Sequence, residues 1–183
     1  MTPGTGSGHE QSGIRLVLLR HAKSATPQGV EDHERPLAPQ GRDDAAEAGR
    51  LLREMDCAPD LVICSPSLRT RETWAHAAAS LGGGELPVTF DDRVYEAGPD
   101  ELMTVLREVP PDAVTALLVG HNPGIEELAA ALSGDADPDS LAWMTEKFPT
   151  AAFAVFAVDT SWSALGPGTA RLVSFVVARA SHD

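Results

Sequence analysis

The chain alternates short, uninterrupted apolar runs with longer stretches in which apolar residues return every three or four positions. "LVLL" at 16–19, "PDLVICS" at 59–65 and "AVTALLVG" at 113–120 are of the first kind, the pattern of strands buried on both faces. Asp43 to Met55, "DDAAEAGRLLREM", has helical periodicity, with acids in its first turn and basic residues farther on. "SLRTRETWAHAAASLGGG" reads as a helix stopped by glycines, and "GPDELMTVLREVP" as a helix bounded by prolines. "NPGIEELAAALSG" carries Pro near its start and Gly at its end, the asymmetry of a helix. "LPVTFDD" reads as a short strand, while "TAAFAVFAV" and "ARLVSFVVAR" form an antiparallel pair around the turn-rich "DTSWSALGPGTA". Lys23 to Asp43 is a polar loop with three prolines. This order predicts an α/β three-layer sandwich, a mostly parallel central sheet flanked by helices. Residues 1–13, rich in Gly, Ser and Thr, are expected to be a disordered leader and 14–180 a single domain without repeats.

Composition narrows the classes. A chain of 183 residues with 43% hydrophobic content fits one domain able to bury a core without a metal or disulfide staple. Cys57 and Cys64 form no C-x-x-C pair, and Cys64 lies within "LVIC", so a buried free thiol and a reducing cytoplasm are expected. No run approaches the ~18 apolar residues of a membrane span, and the N-terminus lacks a signal-peptide layout. A net charge of −13 argues against nucleic acid as a partner. Any phosphate site would be a local positive pocket in an acidic surface.

Chemistry-bearing residues fall at the strand ends. Arg20 and His21 follow the first strand, Ser65 and Arg69 the second, and Gly120 and His121 the run "TALLV". Carboxyl ends of parallel strands share one sheet edge, where ligands bind, so these residues can converge on one crevice. Two guanidinium forks and two imidazoles there make an anion pocket.

"LLRHAKS" resembles the RHG signature of the histidine phosphatase superfamily, with Ala22 where glycine is usual. "CSPSLRTRETW" and "LLVGHNPGI" resemble two further segments of that superfamily. "DHERPLAPQGRDDA", "YEAGPDEL" and "FPTAAFAVF" extend the resemblance to its SixA-like phosphohistidine phosphatase branch, over Leu16 to about Phe156. The resemblance implies a phosphoglycerate mutase-like fold and a cofactor-free, metal-independent phosphatase. It implies His21 as nucleophile, Arg20, Arg69 and His121 as catalytic groups holding the phosphoryl oxygens, and Glu96 as the candidate proton donor. Ser24 and Ser65 are candidate phosphate ligands. The implied substrate is a phosphorylated protein such as a histidine phosphotransfer domain, in signal transduction, or else a small phosphorylated metabolite.

Each of these residues also has a plain reading. Ser65, before Pro66, can cap the following helix, and Glu96 can be a loop carboxylate. Ser24 and Lys23 can simply face solvent. Asn122 can shape a turn, Arg35 can brace its loop against an acid, and Thr150 can begin a strand. His33, His76 and His182 are assigned no chemistry, and Trp74 belongs to a core stripe. A metal hydrolase using His21 and His121 lacks an evident third ligand. The same histidines and arginines also fit a noncatalytic phosphate-binding module or a mutase.

Overall fold

The computed structural model describes residues 13–134 and 147–181, with Asp139, Ala142 and Met144 between them. All of the expected leader except Gly13 lies outside the described residues, as does His182. Six strands are present among the described residues: β1 (Arg15–Arg20), β2 (Leu61–Cys64), β3 (Val88–Phe90), β4 (Thr115–Gly120), β5 (Ala152–Val158) and β6 (Ala170–Val177). They form one sheet in the order β3-β2-β4-β1-β5-β6. β3, β2, β4 and β1 run parallel, and β5 and β6 add the expected antiparallel pair.

Side-chain alternation along β1 divides the core in two. Leu16 and Leu18 face a layer built on α3 (Pro99–Arg107) and α4 (Gly124–Ser133). Val17 and Leu19 face the opposite layer, α1 (Pro39–Glu54) and α2 (Leu68–Leu81). A period of two in the strand thus produces the α/β/α sandwich. The cysteines are free and buried, and burial pushes the Cys64 thiol up to about 12. No helix among the described residues is long and apolar enough to cross a membrane.

One boundary differs markedly from expectation. α1 begins at Pro39 instead of Asp43, because proline suits the first helical position, where its missing N–H bonds nothing. Farther along α1, Gly49 lets the α2 backbone approach; a Cβ there would lie 2.0 Å from the Ala77 oxygen.

The sheet's hydrogen bonding continues past its strands at one edge. His21 N–H donates to the Gly120 carbonyl at 3.0 Å, Ser65 N–H to Val119 at 3.0 Å, and Ala151 N–H to His21 at 3.1 Å. This extension fixes the backbone of the loops that carry the chemistry.

Candidate active site

Arg20 and Gly120 are register partners at the ends of adjacent parallel strands, so the residues after them are delivered side by side. The rings of His21 and His121 lie 5.2 Å apart between centroids. His21 is 8% exposed. Its Nδ1 is 2.8 Å from the Ala22 carbonyl oxygen, which can only accept, so Nδ1 carries the proton and Nε2 its lone pair. Ala22 is itself buried, and its N–H donates to the Thr73 hydroxyl at 3.0 Å.

His121 has the opposite arrangement. Arg69 Nη2, a pure donor, lies 3.4 Å from its Nδ1, and Nε2 donates to the Ser65 hydroxyl at 2.7 Å. Ser65 therefore serves the histidine and does not cap α2; Ser67 occupies the N-cap position. Burial above all, then nearby cations, holds both imidazoles neutral. His21 is pushed down to about 4, with the Ala22 carbonyl opposing and Arg69, Arg20 and Arg35 contributing. His121 is pushed down to about 3, with His21 and Arg69 adding to burial and Asp32 opposing.

Arg20 donates from Nη1 to the Phe148 carbonyl at 2.8 Å, while its buried Nε has no protein partner. Among the described residues the other such buried side-chain atom is Oδ1 of Asn122, whose Nδ2 bonds Phe148 and Glu126. Asn122 thus ties the turn before α4 to its surroundings. The unsatisfied Arg20 N–H is a donor suited to an anion.

Two residues that sequence reasoning left without a role complete the site. Asp32, in a 3-10 turn at Asp32–Glu34, accepts Tyr95 O–H at 2.6 Å and Arg69 Nη2 at 3.0 Å on Oδ2, and Arg35 at 3.0 Å on Oδ1. Its backbone oxygen accepts Arg69 Nη1 at 2.6 Å. The Tyr95 hydroxyl first, then Arg35 and Arg69, hold the Asp32 carboxyl well below the usual carboxylate range. Arg35 continues to the Ser24 hydroxyl at 2.6 Å. The Tyr95 ring lies edge-on to both His33 and His121, at 4.9 and 5.6 Å. The acid expected to pair with Arg35 is therefore Asp32, three residues before it.

A cleft of about 360 Å³ opens onto Arg69 and His121, with Asp32, Glu96 and Asn122 on its walls. Glu96 is exposed, and its backbone is left-handed (φ 57°), a conformation costly for a non-glycine residue. Its loop meets α4 at Gly124, where a Cβ would lie 2.2 Å from the Ala97 oxygen. No group of three or more His, Cys, Asp or Glu suited to a metal ion occurs among the described residues.

A three-layer sandwich with two histidines and two arginines at the carboxyl edge of its sheet suits phosphoryl chemistry, and comparison with known proteins supplies the family. Residues 16–134 match the model of the histidine phosphatase superfamily (branch 1), and the chain belongs to that superfamily. A Mycobacterium tuberculosis protein, Rv1276c, is 40% identical over 163 residues, 88% of this chain and 100% of its own length. A structure from Nakamurella multipartitia assigned as the phosphohistidine phosphatase SixA is 35% identical, with a TM-score of 0.79 over 90% of this chain and 96% of its own. One from Agrobacterium tumefaciens with the same assignment is 27% identical, with a TM-score of 0.76 over 89% and 97%. The chain is a phosphohydrolase of the SixA-like branch.

Proposed function

We propose that the protein hydrolyses phosphohistidine displayed on another protein, such as a histidine phosphotransfer domain, through a phosphorylated His21. The observation that carries this reading is the His21 Nδ1 contact with the Ala22 carbonyl, which leaves Nε2 as a neutral nucleophile at the end of a rigid strand. In the first step Nε2 attacks phosphorus in line; the His21 N–P bond forms as the substrate's P–N bond breaks, and the substrate ring, protonated on its other nitrogen, leaves as neutral imidazole while His21 keeps its Nδ1 proton. A water oxygen then attacks phosphorus, the His21 N–P bond breaks, and inorganic phosphate is released.

Arg20 and His121 hold the non-bridging oxygens, Arg69 adds its positive charge while its terminal nitrogens stay on Asp32, and Ser24 and Ser65 support that pocket. Preorganised charge of this kind supplies most of the stabilisation that phosphoryl transfer needs. A phosphoryl dianion beside His121 opposes the burial and the Arg69 charge that hold its imidazole neutral. Imidazole leaves phosphorus more readily than an alkoxide, so Glu96 is needed as proton donor only for phosphoesters.

The test is phosphate release from a phosphorylated phosphotransfer protein beside a panel of small phosphoesters, with His21→Ala as the blank. The reading predicts faster turnover of phosphohistidine, lost in His21→Ala and kept within about tenfold in Glu96→Gln. Faster ester turnover, abolished by Glu96→Gln, would instead make the protein a phosphatase of small metabolites.

A further inference from the structure

The cleft beside His121 is lined by one cation, Arg69, and by two carboxylates. Asp32, whose side chain is 51% exposed, and Glu96 line it together with Arg69. Asp32 is held there by three partners, Tyr95 beside Glu96, Arg35 within its own loop and Arg69 on α2. Both terminal nitrogens of Arg69 donate to Asp32, one to its carboxylate and one to its backbone. Arg35 is matched to the same carboxylate and to Ser24. A phosphoryl group can still draw on the unpartnered Nε of Arg20 and on His121. A second anion beside phosphorus would meet the Asp32 carboxylate, with the two nearest guanidinium groups already committed to it.

We propose that Asp32 is a specificity-determining residue whose fixed carboxylate disfavours substrates with a second negative charge on the leaving group and admits neutral or cationic ones. The inference rests on reading the cleft as a phosphoryl pocket. It deepens that reading by naming the substrate class, because an imidazole leaving group carries no anionic substituent whereas many phosphorylated metabolites are themselves acids. Selectivity of this kind comes from repulsion as much as from attraction.

The experiment compares glycerol 3-phosphate with 3-phosphoglycerate, which replaces a hydroxymethyl group by a carboxylate. Dissociation constants are read by phosphorus NMR titration of the His21→Ala protein, which cannot form the phosphoenzyme. With Asp32 present, glycerol 3-phosphate should bind about tenfold more tightly; Asp32→Asn should cut that preference at least about fivefold, by improving 3-phosphoglycerate, and Asp32→Glu should retain it. Equal affinities with Asp32 present, or a preference unmoved in Asp32→Asn, overturn the inference. Loss of affinity for both ligands alike also overturns it, and makes Asp32 a brace for Arg69. Failure of both ligands to bind when Asp32 is present would remove the phosphoryl pocket, and the inference with it.

Discussion

Nδ1 of His21 lies 2.8 Å from the carbonyl oxygen of Ala22. That contact between consecutive residues selects the imidazole tautomer and orients Nε2. It follows directly from the way β1 ends, with His21 N–H on Gly120 and the His21 carbonyl held by Ala151, itself in a left-handed conformation (φ 60°). The polar end of an apolar strand is where a rigid element can aim a reactive group.

Both histidines of the candidate site should titrate below the ordinary histidine value. Each is pushed down, to about 4 for His21 and about 3 for His121, by burial first. The unfolded chain takes up these protons near ~6.5. Their contribution to stability is thus fully present above that pH, and is lost as pH falls through ~6.5 toward the folded values. Ring nitrogen NMR of the free protein should show both imidazoles neutral at about pH 5.5, and titration of either near ~6.5 would contradict this.

Ser65→Ala leaves the half-buried Nε2–H of His121 without its acceptor. A cost of about 1 kcal/mol is expected for a donor of this burial, seen as a lower unfolding midpoint in urea. Turnover should fall as well, by about tenfold or more in kcat/KM, because His121 loses the contact that sets its tautomer. Unchanged stability and turnover would mean that the hydroxyl has no part in orienting His121.

Gly124→Ala should disturb the site from outside it. The new Cβ would lie 2.2 Å from the Ala97 oxygen, backbone that cannot swing aside like a side chain. Overpacking of this kind costs about 1–3 kcal/mol, and the loop bearing Glu96 must shift to relieve it. The expected result is a destabilised protein with a raised KM; wild-type values for both would show that the loop yields freely.

How much of this was legible in the sequence depended on the residue. "LVLLRH" announced β1 because four apolar residues in a row require burial on both faces, and the following cations then mark an edge. "AVTALLVG" and the helix signals around Pro99 and Pro123 were readable for similar reasons, although Pro123 sits just before α4. The start of α1 was hidden, since Pro39 and Gly41 resemble loop residues until the chain's close approach at Lys23 is seen. Asp32 and Tyr95 belong to polar loops far apart in sequence, with no periodicity to connect them. The only available hint was an acid three residues before Arg35 in "DHER". His33 reads as a plain surface residue, yet its ring packs against Tyr95. The roles given to His21 and His121 came from strand-end placement together with family resemblance, since a histidine pair alone fits a buried core as well as a site.

Whether His21 is the nucleophile is decided by where phosphate resides during turnover. The protein is mixed with a radiolabelled phosphohistidine substrate, denatured within milliseconds in alkali, where phosphohistidine survives, and digested for peptide mapping. Attack by His21 predicts label on its Nε2 in the peptide containing "LLRHAK", and none in His21→Ala. Turnover at the wild-type rate with no labelled protein, or with label on another residue, would rule that mechanism out.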